Sequence, residues 1–405
     1  MKKIIFALTA SASILCGCGG NSTKDNKADS ASPKAADAPN SDYKPAFAGQ
    51  TRATAVTTKT PYEPKVLTDG LKNPWGICIL PDGRFLVTEK KGNMRIVTAA
   101  GAISEPIAGI PAVNDDGQGG LLDVTLDPAF SSNRMVYWTF SNKVAEGNLT
   151  AVAKGKLSAD EKKMDNVSVI YLATPAHNSA LHYGGRILFG KTGNIVVSTG
   201  ERSDLETRPM AQFLNTSLGK VIRITTDGKP APGNPFAGVD SARAELYSYG
   251  HRNVQGLAWH PVTGDLWESE LGPRGGDEIN RIQPGKNYGW PTITYGIEYA
   301  GGKVGGGITQ KEGLEQPVYY WDPVISPSGI TFYSSDSIPE WNNNLFVCGL
   351  SGQRIVRLVI EDNKVTGEEK LLVEEKQRFR DVIMGKDGAL YAITDQGRLY
   401  RVGKK

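Results

Sequence analysis

Three stretches of this chain carry residue types that could do chemistry. Residues 245–261, ELYSYGHRNVQGLAWHP, place His251, Arg252, Asn253 and Gln255 directly ahead of an apolar run. A loop that needed only solvation would use Ser, Lys or Glu. A planar guanidinium beside a carboxamide suits a flat or anionic ligand instead. In RFRDVI, Arg378 and Arg380 are two apart and share one side of a strand. Two like charges on one face need either surface carboxylates or an anion between them. With Arg252 at an equivalent position, a shared ligand carrying several carboxylates is the preferred reading. His182, in LHYGGR, precedes a glycine pair where a substrate could approach. A neutral imidazole there can act as a general base, although a lone histidine can equally be structural. His251 is expected to point away from the Arg-Asn pair, as a packing residue or as support for the residues that touch the ligand, and His260 to sit in a turn.

The third stretch is residues 270–291, ELGPRGGDEINRIQPGKNYGWP. Its Gly-Pro-Arg-Gly-Gly run can turn sharply and expose carbonyls. Asp277, Glu278 and Tyr288 follow. Carbonyls with a carboxylate are hard oxygen ligands suited to Ca²⁺. An exposed acidic loop is the alternative.

What must position these residues is read from glycine and from repetition. The chain has 47 Gly in 405 residues, at turn-like spacings between short β-rich runs. Six related units begin at Asn73, Gly119, Gly184, Asn253, Ser328 and Arg378. Each has an apolar strand, a turn such as Pro81-Asp82-Gly83 or Lys386-Asp387-Gly388, and an alternating strand. Six units in about 340 residues leave room for four strands in each. The fold expected is all-β, a six-bladed β-propeller of four-stranded antiparallel blades, with five or seven blades as competitors. Residues 63–71, EPKVLTDGL, have no hairpin partner of their own and are expected to close the ring against RLYRV. In such a ring the starts of the inner strands converge, bringing together Gln118, His182, Arg252, Asn253, Arg378 and Arg380.

The N-terminus bears on location. Lys2 and Lys3 precede an apolar stretch and then LCGC, a pattern similar to the bacterial lipoprotein box with Cys18 as the lipidated residue. Residues 1–18 are expected to be a lipoprotein signal and residues 19–60, rich in Ser, Ala, Asp, Lys and Pro, a flexible tether. The propeller is expected over 61–405. The protein would be lipid-anchored in a bacterial envelope and face the periplasm, with the outer membrane favoured. Cys78 and Cys348 are expected to be separate buried thiols. A net charge of +3 with no basic block gives no reason to expect a nucleic-acid partner.

NPWGICILPDGRFLVTE, DGQGGLLDVTLDP, HYGGRILFG, LGKVIRITTDGKPAPGNPF, GHRNVQGLAWHP, GPRGGDEINRIQPGKNYGWP, SPSGITFY and RFRDVI together resemble the soluble glucose/sorbosone (aldose sugar) dehydrogenases, which use pyrroloquinoline quinone (PQQ). The resemblance runs from about residue 65 to 402. It implies His182 as general base and Arg252 as a cofactor contact that also polarises the reactive carbonyl. It implies Gln118, Asn253, Leu350, Ser351, Arg378 and Arg380 as further positions in contact with cofactor or substrate. It assigns Gly272 and Pro273 carbonyls to an active-site Ca²⁺, and Glu278 and Tyr288 to another. The implied reaction oxidises the anomeric hydroxyl of an aldose to a lactone, with a quinone or cytochrome as eventual electron acceptor and a monomer or dimer as the assembly. Ser351 stands where better-known members carry Lys, which removes one cationic contact; Gln353 or Arg354 could compensate. Glu201 stands where some relatives have Asp. The competing readings are a non-catalytic propeller binding a sugar or protein on the same face, and a Ca²⁺-dependent propeller lactonase, which would need a carboxylate-rich central metal site.

Overall fold

The computed structural model describes residues 38–405. Cys18 and the signal segment lie outside the described residues. Six small antiparallel sheets form the blades. Their inner strands are Pro74–Ile79, Leu121–Leu126, Gly184–Phe189, Val254–Trp259, Pro327–Phe332 and Phe379–Met384. Each inner strand packs on the next, and the last packs on the first, so the ring is closed. The expected closure holds: Tyr62–Thr68 pairs antiparallel with Leu399–Lys404, Val66 opposite Tyr400. Blade one departs from the four-strand expectation, with three strands extended only by a single bridge from Val97 to Ile103.

Residues 40–60 do not behave as the tether expected from their composition. They run along the described body as an ordered strap. The Asn40 side chain donates to Asp322 at 2.7 Å. Gln50 is fully buried and donates to the Pro317 carbonyl at 2.9 Å. Thr54–Ala55 adds a parallel edge strand at Gly367–Glu368, and Thr58 and Thr60 donate to Glu369 and Glu340. Apolar burial was the wrong criterion here, because this segment is held by side-chain and backbone hydrogen bonds.

The apolar core lies between blades. Leu86, Met94 and Ile96 of blade one meet Trp138, Phe140 and Ala153 of blade two. Phe346 and Cys348 of blade five meet Phe379 and Tyr400 of blade six. Cys78 and Cys348 are separate thiols, and burial pushes both up.

All six inner strands carry a register shift at the same place, one to three residues into the strand. Such bulges re-aim side chains. Here they turn one residue of each strand toward the axis: Gly76, Asp123, Arg186, Gly256, Gly329 and Asp381. Arg186 donates to Asp381 at 2.7 Å and lies 3.2 Å from Asp123, all three buried. The glycines make room. A Cβ on Gly76 would come 2.5 Å from an Asp123 oxygen, and one on Gly329 would come 1.9 Å from Asp381. In blades one to four a hydroxyl, from Thr88, Thr139, Ser198 or Ser269, latches the bulge region to the next blade. Thr88 accepts from Gly76 N at 2.9 Å and donates to Leu122 O; Ser198 likewise accepts from Arg186 N at 3.0 Å and donates to Val254 O.

Removing one partner from a buried ion cluster leaves the others uncompensated. Arg186→Met is expected to lower the unfolding free energy by about 3–5 kcal/mol in a denaturant titration, and a loss below about 1 kcal/mol would contradict this account of the axis.

Candidate active site

Above the axial charges lies a cavity of about 450 Å³. Trp75, Gln118, Asn253, Gln255, Leu350, Arg378 and Arg380 all line it. Seven of the positions singled out from sequence therefore meet there or border it, since His182 is joined to Gln118: its N–H donates to the Gln118 side-chain oxygen at 2.8 Å. Trp75, Gln255 and Arg380 reach the cavity because they occupy the bulges. The Trp75 ring forms part of the wall and lies 4.4 Å from the Arg186 guanidinium beneath it.

His182 is 4% exposed and has a left-handed backbone, φ 48°. A strained φ persists only where surroundings fix it. Here Gly200 supplies the space, since a Cβ on it would come 2.2 Å from the His182 carbonyl. Arg202 clamps the same loop, stacking 3.6 Å over Tyr183 and donating to the Leu181 carbonyl at 2.7 Å. His182 Nδ1 sits 3.0 Å from Glu201 Oε1. Burial first, then the Arg252 charge, lowers the His182 pKa to about 4, against the opposing pull of Glu201. Burial is the largest single influence on Glu201 and pushes it up, but the contact and charge of His182, the Arg252 charge and the Ser203 N–H together hold it below its ordinary value. A neutral imidazole beside a carboxylate must donate from Nδ1, which leaves the Nε2 lone pair to accept a proton.

Arg252 is anchored along its length. Its backbone N–H donates to Glu270 at 2.6 Å, and Nη1 donates to the Leu271 and Gly272 carbonyls at 2.9 and 2.7 Å. Its guanidinium lies 5.2 Å from the Trp290 ring, and Nη2 reaches the Tyr299 hydroxyl at 3.3 Å. Asn253 Oδ1 accepts from Gly184 N at 3.0 Å. Arg378 and Arg380 share one carboxylate: both donate to Asp395, at 2.9 and 2.8 Å. The surface-carboxylate alternative is thus half realised, but Asp395 and both arginines still line the cavity.

The residues expected at Ca²⁺ divide. The Gly272 carbonyl already serves Arg252. A guanidinium on that oxygen opposes a divalent cation, so Gly272 and Pro273 do not by themselves fit an ion. Asp277 is spent on the N–H groups of Gly272, Ile325 and Ser326. The Tyr288 hydroxyl donates to Arg281 O at 2.7 Å and accepts from Gln283 N. Glu278 fits better. It lies in a buried cluster with Glu268 and Glu270, and one Asn280 amide group serves all three carboxylates. Glu268 Oε2 and Asn280 Oδ1 are buried without a partner. His251, fully buried, joins the cluster at 3.4 Å from Glu270 and stacks on Tyr288. Of the two roles expected for it, this contact gives the supporting one, since Glu270 holds Arg252 N–H. Three carboxylates, with the unpartnered oxygens of Glu268 and Asn280 among them, form a hard donor set that suits Ca²⁺. His260 caps its turn as expected, accepting from Val262 N and Thr263 N.

Ser351 turns its hydroxyl to Ser326 Oγ at 2.8 Å. Sequence reasoning missed Trp75, Lys90, Arg202, Tyr299 and Asp395. Glu201-Arg202 was visible as a charged pair on a glycine turn, and Trp75 as an aromatic ahead of a strand, but neither signal says where the side chain points.

This arrangement belongs to a recognisable class of propeller enzymes. The chain is a member of the glucose/sorbosone dehydrogenase family, whose model matches residues 71–401. It is 40% identical over 348 residues to the aldose sugar dehydrogenase YliI of Escherichia coli, covering 84% of this chain and 92% of that one. The solved apo-form of the soluble aldose sugar dehydrogenase of Escherichia coli superposes with a TM-score of 0.81 at 39% identity, over 85% of this chain and all of that chain. The PQQ-bound aldose sugar dehydrogenase of Streptomyces coelicolor superposes with a TM-score of 0.71 at 29% identity, over 86% of this chain and all of that one.

Because the folded pKa of His182 lies below its ordinary 6.5, the neutral ring persists in acid until the pH approaches about 4. The same shift means that the unfolded chain binds this proton more readily, so His182 lowers stability as pH falls from 6.5 toward 4. A ¹⁵N NMR titration of the imidazoles is expected to show His182 protonating near 4 with Nδ1–H as the neutral tautomer. A midpoint at 6.5 would contradict the burial argument.

Proposed function

We propose that this protein is a PQQ-dependent aldose dehydrogenase that oxidises the anomeric C1 hydroxyl of an aldose to a lactone. The observation that carries the reading is the buried His182–Glu201 pair at the rim of a flat-walled cavity bearing three cationic side chains. PQQ, planar and tricarboxylated, suits that lining. Arg378 and Arg380 would hold its carboxylates bidentately, Asn253 and Gln255 its polar edge, and Trp75 one of its faces. When bound, the quinone supplies a two-electron acceptor for the C1 hydride.

The protein's part is geometric and protic. His182 Nε2 accepts the proton of the C1 hydroxyl while the C1–H bond breaks, so that the sugar loses one proton and one hydride and becomes the lactone. Glu201 fixes the ring and stabilises the imidazolium that forms, by its 3.0 Å contact at Nδ1. Gln118 orients His182 through the backbone N–H, and Arg252 places positive charge beside the site, where it favours developing negative charge on oxygen. Glu278, Glu268 and Glu270 with Asn280 would hold Ca²⁺ in blade four and brace the strand that carries Glu270, the acceptor for Arg252 N–H. The pattern at Cys18 supports an exported, lipid-anchored enzyme facing the periplasm, passing electrons to a quinone or cytochrome.

The test is reconstitution of the full chain with PQQ and Ca²⁺, reading dye reduction with a panel of aldoses. Activity is expected, His182→Ala should lower it roughly 10²–10⁴-fold, and Ca²⁺ alone should raise the melting temperature in a chelator-reversible way. Tight PQQ binding with no turnover of any sugar would favour a non-catalytic propeller. No PQQ binding would overturn the reading altogether.

A further inference from the structure

We propose that Lys90 is a cofactor-binding residue of this chain, supplying toward the quinone carboxylates the positive charge that Ser351 does not. The proposal rests on the functional reading above and extends it to a residue in blade one. Ser351 is neutral, is engaged with Ser326, and is not among the residues that line the cavity, although Ser326 and Leu350 are. Gln353 and Arg354, the expected substitutes, do not line it either; Arg354 lies in a strand opposite Gly349. Neither local candidate replaces the missing cation.

The cavity's charge balance locates the substitute. Its charged lining residues are Lys90, Arg378, Arg380 and Asp395. Asp395 binds both arginines and is itself a carboxylate facing the space an anionic ligand would fill. With Lys90 the lining is doubly positive; without it, singly. For a ligand with three carboxylates that difference is a large share of the attraction.

Lys90 is also held in place. Its N–H donates to Asn73 O at 3.1 Å, and its carbonyl accepts from Leu121 N at 2.9 Å. Its stem lies against Gly120, where a Cβ would come 2.7 Å from Lys90 Cγ. Among the described residues no carboxylate pairs with its ammonium. A half-buried cation at a cavity wall, fixed at the backbone and without a counter-ion, is placed to receive one from the ligand.

The test is calorimetric titration of PQQ into the full-length apo-protein in Ca²⁺ buffer, with no turnover required. Lys90→Met is expected to weaken binding about ten- to a hundredfold, the range for a charge-assisted contact, and to flatten its salt dependence. Lys90→Arg should bind within about threefold of the parent, as should Lys91→Met, which alters the neighbouring exposed lysine. Ser351→Lys added to Lys90→Met should restore most of the loss. Unfolding curves of each variant separate binding from folding. If the parent binds PQQ and a folded Lys90→Met binds equally well, the proposal is overturned while the functional reading stands. If the parent itself binds no PQQ, the functional reading fails and takes the proposal with it.

Discussion

The structure hangs on a charge cluster that closes its own axis. Arg186 reaches from blade three to Asp381 in blade six, with Asp123 of blade two alongside, all buried. A buried guanidinium between two carboxylates is poor evidence for stability in itself, because desolvation consumes most of the Coulomb gain. Its value here is in geometry. Each aspartate also accepts a backbone N–H from a neighbouring blade: Asp123 from Ile187 and Asp381 from Ile77. The cluster therefore fixes the rotation of four inner strands about one another. It also forms the floor of the cavity, since Arg186 Nε donates to the carbonyl of the cavity-lining Gln255.

The bulges that aim these residues at the axis also aim Trp75, Gln255 and Arg380 upward. One backbone irregularity, repeated six times, thus makes both floor and wall. His182 is placed differently, by strain. A left-handed His182, a glycine pair, Gly200 against its carbonyl and Arg202 over Tyr183 fix the backbone that carries the imidazole. Burial holds the ring neutral, and Glu201 gives it direction.

Much of this was legible in the chain. Strand–turn–strand units with Asp-Gly turns set the blade count, and an unpaired strand at 63–71 predicted the closure, because both follow from local pairing rules. Gln118, His182, Arg252, Asn253, Arg378 and Arg380 could be grouped because a propeller brings strand starts together. Three things were not legible. The strap at residues 40–60 is held by hydrogen bonds to residues more than 200 positions away, such as Asn40 to Asp322, and composition carries no trace of such partners. Asp395 pairs with Arg378 and Arg380 across a hairpin, which no spacing rule singles out from other aspartates. The carboxylate cluster around Asn280 depends on Glu268 and Glu270 sharing one strand with Glu278 opposite, so which carboxylates His251 meets could not be read before the register was known.

The proposed function turns on one placement: Trp75, Arg378 and Arg380 would hold the quinone above Arg186, within reach of His182. A crystal structure of the protein grown with PQQ and Ca²⁺ tests it most directly. The account predicts planar density against Trp75, carboxylates at Arg378 and Arg380, and His182 Nε2 open toward the quinone's free face. Density for the quinone elsewhere on the propeller, or a bound quinone that covers none of these residues, would contradict it.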